Sequence, residues 1–161
     1  MENIRIVAGR EAYVPPGGPP RVERPSDAIY AAMGEEAIVA MMEAFYAELA
    51  QSPTLRRMFP QTPEALVRAA HRSAAFFIGI MGGPPLYQQM YGNPAMRARH
   101  MPFPIDEAAR REWLRCFNVV LAIAPARFNF PPEHMPGFQA FLDGFSGWMV
   151  NTAPPNPEEA A

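Results

Sequence analysis

The sequence predicts an all-α fold, and two observations support this prediction. Hydrophobic residues recur at intervals of three and four in four separate segments, which places them on one face of a helix. No run of about four to eight residues alternates between apolar and polar side chains as a half-buried strand does. We therefore predict no sheet, and take Ile4, Ile6 and Val7 as candidates for a short strand or an arm that lies on the body.

Three of the predicted helices lie in the first half of the chain. One covers about residues 34 to 50, and a shorter helix before it starts at a cap, Ser26 or Asp27, and ends near Gly34. The next helix follows the loop at residues 60–63 and stops at Gly82-Gly83-Pro84. The apolar stripes are Ile38, Met42, Phe45, Tyr46 and Leu49 on the first long helix and Leu66, Ala69, Ser73, Phe76 and Ile80 on the second.

The other two predicted helices lie in the second half. Residues 106–124 open with Asp106 and Glu107, whose negative charges suit the N-terminus of a helix. The stripes are Ala109, Trp113, Cys116, Phe117, Val120 and Leu121 on this helix and Phe138, Phe141, Leu142, Phe145, Trp148 and Met149 on the last. We predict one domain over residues 27–150, between a proline-rich N-terminal extension at 1–26 and a disordered C-terminal tail at 151–161.

The composition excludes several classes of function. The chain contains no lysine, which excludes Schiff-base chemistry, and the single Cys116 allows neither an intrachain disulfide nor an all-thiolate metal site. A formal net charge of −2 gives no sign of nucleic-acid binding. The N-terminus does not have the pattern of a signal peptide, and no apolar run approaches bilayer length, so we expect a soluble cytoplasmic protein without membrane contact.

Residues 82–105 are dense in glycine and proline yet rich in tyrosine, methionine, phenylalanine and arginine. A long irregular stretch inside a compact domain is uncommon unless it is functional. The segment holds His100, whereas His71 and His134 lie outside it, and no histidine pair has metal-ligand spacing. A single histidine can still ligate a metal when a cofactor supplies the other ligands, as haem does.

Three features favour such a cofactor. His100 lies between arginines and among methionines and Phe103, which suits a flat apolar ring with carboxylates at its edge. Small residues at Ala69 and Ser73 leave room on an apolar helix face, and Tyr46 and Trp113 bring polar hydrogens to two other apolar faces. Each feature has a simpler alternative: a surface histidine, close helix packing, or core aromatics bonded to backbone carbonyls. A helical interaction module without a cofactor therefore remains open from these residues alone.

Several motifs, in order and with matching spacing, resemble those of group II truncated haemoglobins over about residues 27–150. They include MGGPPLY at 81–87 and MRARHMPFPI at 96–105, and the remaining matching runs are 45–46, 55–60, 91–94 and 111–116. The resemblance implies a truncated globin, which is a two-over-two helical sandwich around b-type haem (iron protoporphyrin IX).

The resemblance also implies roles for the residues of the iron site. His100 falls on the proximal iron ligand, and Tyr46 on the distal tyrosine that donates a hydrogen bond to the bound ligand. Trp113 falls on the tryptophan that lies over the haem and donates its indole N–H. Phe59 matches an aromatic residue that packs on the ring, where some relatives have tyrosine, and Ala69 matches the distal gate. Ser73 occupies a position where relatives carry leucine or glutamine over the iron.

The edge of the haem has its own implied contacts. Arg72 matches a residue that pairs with a haem propionate, and Tyr87 and Arg99 are similar to other propionate-side contacts. The implied cofactor contacts also include Phe76, Phe77, Met96, Phe103 and Ile105. The chain departs from the family at Asn93, where histidine is usual, and at Glu35, which replaces a glycine. Two extra residues between Phe59 and Gly82 leave the register of residues 60–81, and so the role of Ser73, open.

Such a site is expected to bind O2, CO, NO or small anions. Hydrogen bonds from both Tyr46 and Trp113 would slow O2 release by roughly a hundredfold or more, because a bond to a charged acceptor contributes about 1.5–3 kcal/mol. We expect a ligand-binding haem protein used for storage or sensing. The alternative is a haem enzyme, an NO dioxygenase or weak peroxidase, that needs an external reductase. We expect a monomer or a weak homodimer.

Overall fold

The computed structural model describes residues 6–7, 10–11 and 13–154, and helices make up most of this part of the chain. Two short 3-10 turns lie at Arg56–Met58 and Pro132–His134. The described α-helices are α1 (Ala28–Gln51), α2 (Pro63–Ile80), α3 (Leu86–Tyr91), α4 (Met96–His100), α5 (Glu107–Arg127) and α6 (Met135–Met149). The predicted all-α fold is confirmed, and among the described residues no helix is long and apolar enough to cross a membrane.

A small antiparallel pair of strands corrects the prediction of no sheet. Strand β1 (Ile6–Val7) pairs with β2 (Arg10–Glu11), with Ile6 opposite Glu11. Two residues per strand are too few for an alternating pattern to be visible in the sequence. The predicted short strand thus forms at Ile6 and Val7, and Ile4 lies outside the described residues.

Side chains that the sequence predicted as helix caps lie at the starts of α1 and α5. Ser26 accepts a hydrogen bond from the Ala28 N–H (3.1 Å), and Gly34 interrupts α1 with φ 77°, so the short helix that was predicted to end near Gly34 meets the long helix at a kink. Asp106 caps α5 by accepting the Ala109 N–H at 2.8 Å. The irregular stretch at 82–105, for which no helix was predicted, contains the short helices α3 and α4.

The core lies where α1 packs on α2 and α5, and where α5 packs on α6. Phe45 of α1 stacks on Phe117 of α5 with ring centroids 4.0 Å apart. On α2 the predicted stripe is only half-buried, and the fully buried face is offset from it by one residue or more. That buried face comprises Ala70, Ala74, Ala75, Phe77 and Ile78. The small alanine side chains allow α1 to pack closely against this face of α2. The predicted stripe lies next to the candidate site instead.

The two proline-rich ends lie against the body where they are described. Val22 covers Gly144 of α6, Pro25 is buried, and Arg24 donates to the carbonyls of Gly79 (2.8 Å) and Ile80 (3.3 Å). At the other end Asn151 is buried, although it belongs to the segment that was predicted to be a disordered tail. Residues 155–161 of that tail lie outside the described residues.

Candidate functional site

His100 is the last residue of α4, and its imidazole is half-buried. The Nδ1 atom lies 2.6 Å from the Met96 carbonyl oxygen, which can only accept, so Nδ1 carries the proton. Burial lowers the pKa of His100, and the bond to Met96 opposes this in part. No described residue hydrogen-bonds Nε2. His100 therefore presents a neutral imidazole with an available lone pair, which is the form that ligates a metal.

The other two histidines are engaged or placed differently. His71 contacts the Glu43 carboxylate across the surface between α2 and α1, and both side chains are about half exposed. His134 ends the second 3-10 turn, just before α6. Neither shares the contacts of His100.

Tyr46 of α1 and Ser73 of α2 lie near each other, close enough for the Ser73 side chain to affect the ionisation of Tyr46. Burial raises the pKa of Tyr46, while the Ser73 hydroxyl and the charge of Arg72 lower it by a smaller amount. Tyr46 is therefore protonated at neutral pH and can act as a donor. Ala69 lies one turn before Ser73 and is half-buried, so the three predicted distal positions on α1 and α2 are brought together.

Trp113 of α5 is the other predicted distal hydrogen-bond donor. Its indole packs edge-on against Phe45 (5.4 Å between centroids) and tilts against Phe145 (6.3 Å). The ring is half-buried, and its N–H makes no hydrogen bond to any described residue. A half-buried indole N–H without a protein acceptor fits a donor to a bound ligand.

Aromatic rings connect the distal residues with α4. Phe59 packs edge-on against Tyr46 at 5.5 Å, and Phe76 contacts Phe145 at 5.5 Å. Phe76 and Met96 line a cavity of about 340 Å³ together with residues of α6, namely Phe145, Trp148 and Met149. Phe77 is different, because it is buried in the core against Phe117 (5.7 Å) and Phe138 (6.0 Å).

The predicted propionate contacts form two cation–π pairs. The Arg72 guanidinium lies over Tyr91 at 4.8 Å, and the Arg99 guanidinium lies over Tyr87 at 5.2 Å. Arg99 also donates to the carbonyls of Tyr91, Asn93 and Pro94. Its Nε and Nη2 groups thus bind the loop between α3 and α4. A contact of either arginine with a haem propionate remains a prediction.

The loop residues beyond α4 differ in exposure. Phe103 is 40% exposed, whereas Ile105 is half-buried, donates its N–H to the side-chain oxygen of Asn151 and accepts the Asn151 N–H at its carbonyl. At Asn93, where the family usually has histidine, the side-chain oxygen accepts the Ala95 N–H at 3.2 Å and shapes the start of α4. Asparagine is suited to this turn, which accounts for the departure.

Sequence reasoning missed several residues that contact α4 or the loop before it. Phe145 and Trp148 were predicted only as a helix stripe, and Arg97 only as one of two flanking cations. Asn151 carried no signal, because a lone asparagine after a helix is common in loops. The aromatic Tyr91 lay in a matching motif and could have been inferred from it.

An all-helical body in which the half-buried imidazole of His100 is free to ligate a metal fits a globin. The family model described as bacterial-like globin matches residues 28–129, and the chain belongs to this family.

Individual relatives agree with the predicted resemblance to group II truncated haemoglobins. The group 2 truncated hemoglobin YjbI of Bacillus subtilis is 39% identical over 92 residues, which are 57% of this chain and 67% of the relative. The structure of phosphate-bound Hell's gate globin IV has a TM-score of 0.77 and 34% identity, over 84% of this chain and 82% of that one. The truncated oxygen-avid haemoglobin of Bacillus subtilis has a TM-score of 0.63 and 31% identity, over 76% and 98%. The resemblance is thus confirmed, and membership of the family implies a haem-based ligand-binding role.

Proposed function

We propose that the chain binds b-type haem through His100 and holds dioxygen or a related diatomic ligand on the opposite side. The observation that carries this proposal is the state of His100, whose Nδ1 is held by the Met96 carbonyl while Nε2 has no described protein partner. A fixed imidazole of this tautomer is what an axial ligand requires.

The residues around His100 fit a haem group. When bound, haem would supply an iron ion that His100 could ligate and that could bind a diatomic ligand. The cavity lined by Phe76 and Met96 offers apolar contacts, and the exposed Arg72 offers a cation for a propionate. No Cys-x-x-Cys-His motif is present in the sequence, which supports a non-covalently held b-type group.

On the distal side, Tyr46 and Trp113 act as hydrogen-bond donors to the ligand. The pKa of Tyr46 is raised by burial, so its hydroxyl keeps its proton, and the Trp113 N–H has no described acceptor of its own. The similarity to an oxygen-avid truncated haemoglobin supports a site that retains O2.

The axial assignment is tested by replacing histidines one at a time. His100→Ala should lose haem on gel filtration and show at least about a hundredfold faster haem dissociation, because loss of the ligand costs more than loss of an outer-shell partner. Added imidazole should restore the Soret spectrum. His71→Ala is the matched control, since its side chain pairs with Glu43 at the surface. A normal spectrum in His100→Ala together with haem loss in His71→Ala would overturn the assignment.

A further inference from the structure

Asn151, directly after α6, ties down the chain as it leaves α4. Its side-chain Nδ2 donates to the carbonyls of His100 (3.3 Å) and Phe103 (3.0 Å), and its Oδ1 accepts the Ile105 N–H (2.9 Å). Its backbone N–H donates to the Ile105 carbonyl at 2.9 Å. The residue is buried, so these bonds are shielded from water. One side chain thereby fixes three points in the segment from His100 to Ile105.

Arg97 ties down α4 itself, one turn before His100. Its guanidinium stacks on the Trp148 ring at 4.2 Å and donates to the carbonyls of Trp148 and Val150 at the end of α6. The last carbonyls of a helix have no partner within the helix, so these bonds satisfy groups that would otherwise need water. A helix of five residues is too short to be stable alone and depends on such contacts.

The N-terminal segment completes this arrangement. The Tyr13 carbonyl accepts from Arg97 Nη2 at 2.7 Å, and the Tyr13 N–H donates to the Asn151 carbonyl at 2.9 Å. From there the segment crosses α6, where Val22 covers Gly144, and reaches α2, where Arg24 binds the last carbonyls. Residues 13–25 are thus anchored at both ends, and one anchor consists of the two residues that hold α4.

We propose that Arg97 and Asn151 are positioning residues for His100, and that residues 13–25 form a strap that keeps both in place. The direction of Nε2 follows the position of α4, which these two side chains fix from either side of His100. The strap closes over Arg97 and Asn151 and limits their motion. The consequence for the protein is slow haem loss and a single orientation of the axial imidazole. This proposal rests on the proposed role of His100 as the iron ligand.

The test compares full-length Arg97→Gln and Asn151→Ala with Arg110→Gln. Arg110 is the matched control because it is also partly buried and bound to α6, through Ser146 and Asp143, but lies on α5 and not on α4. We expect haem transfer to an acceptor apoglobin to be about tenfold faster in the first two variants than in the control, as the loss of one hydrogen bond allows. Their iron–histidine stretching band should also shift or broaden in resonance Raman spectra. Equal transfer rates and an unchanged band would overturn the positioning role.

The strap is tested with two substitutions at Tyr13. Tyr13→Pro removes the N–H that binds Asn151, whereas Tyr13→Ala keeps both backbone groups. Haem transfer should be faster in Tyr13→Pro, by about twofold or more, and unchanged in Tyr13→Ala. Equal rates in the proline variant and the wild type would refute the strap.

Failure of the haem assignment would be recognised separately, because the wild type would then show no Soret band after reconstitution. In that case hydrogen exchange of the haem-free protein tests whether Asn151 holds residues 97–105 in place. Faster exchange at residues 97–105 in Asn151→Ala than in Arg110→Gln supports the positioning role, and equal exchange rejects it.

Discussion

At the scale of single residues, the Tyr46–Ser73 pair changes the expected chemistry of the distal site. With Phe59 lacking a hydroxyl, Tyr46 and Trp113 were predicted to dominate, and the structure adds the Ser73 hydroxyl. The Ser73 hydroxyl and the charge of Arg72 lower the pKa of Tyr46, but burial raises it by more, so the Tyr46 hydroxyl keeps its proton and can donate it to a ligand.

Removal of either distal donor should therefore affect O2 more than CO. Tyr46→Phe and Trp113→Phe should each speed O2 dissociation by about tenfold or more, since each removes roughly 1.5 kcal/mol of hydrogen bonding to a partly charged ligand. CO dissociation should change much less, because CO carries less negative charge on its outer atom. Flash photolysis and stopped-flow mixing measure both rates.

The variant with both substitutions, and a control substitution at another tyrosine, test this prediction further. The two effects should not add fully, since both donors share one ligand. Tyr30→Phe, on the same helix but outside the site, should leave both rates unchanged. Equal acceleration of O2 and CO would indicate altered access rather than lost hydrogen bonds, and unchanged O2 rates would refute the donor mechanism.

At the scale of elements, the junction between α2 and α1 depends on a glycine. Gly82 has φ 101°, and a Cβ added there would lie 2.5 Å from the Asp27 carbonyl oxygen. The Met81 carbonyl next to it accepts the Tyr30 N–H at 3.0 Å, so the end of α2 is bound to the start of α1. Only glycine combines this backbone conformation with so close an approach.

Gly82→Ala should lower the free energy of unfolding by about 2–5 kcal/mol, which combines the cost of a left-handed conformation with that of overpacking. Gly137→Ala is the matched control, because its Cβ would point into open space within α6. The control should be neutral or stabilising by about 0.5–1 kcal/mol. Urea unfolding followed by circular dichroism gives both values, and similar stabilities for the two variants would contradict this account.

At the scale of the whole molecule, a charged group joins the end of α1 to α5. The buried Ser52 hydroxyl donates to Glu112 at 2.6 Å, and Arg115 donates to both carboxylate oxygens at 2.8 Å. The hydrogen bonds from Arg115, followed by the one from Ser52, lower the pKa of Glu112 from 4.5 to about 2. Because the pKa is lower in the folded state, this group stabilises the fold above about pH 4.5 and loses its effect as the pH falls towards 2.

Glu112→Gln should accordingly reduce stability at pH 7, and the difference from the wild type should shrink below pH 4.5. Unfolding in urea at pH 7, 4.5 and 3 measures this dependence. Glu35→Gln is a suitable control, since Glu35 is exposed and has no described ion pair. A difference that does not change with pH would show that the ionised carboxylate is not the stabilising form.

The long helices and the family could be predicted from the sequence, because both depend on local spacing, whereas the short helices α3 and α4 could not. The stripe from Ala109 to Leu121 and the Asp106 cap predicted α5, and the motif around His100 predicted the axial residue. Tyr46 and Trp113 were likewise identified through matching motifs, and the structure adds contacts that support their proposed roles.

Which side chains from distant segments meet depends on how the helices pack. Asn151 binds the carbonyl of His100 from 51 positions away, and Arg97 reaches Tyr13 across 84 positions. Helix packing also decides that Ala70 and Ala74, rather than Ala69 and Ser73, form the buried face of α2. Helical periodicity is set by hydrogen bonds between neighbours in sequence, whereas these contacts depend on how whole helices pack, which no local pattern encodes.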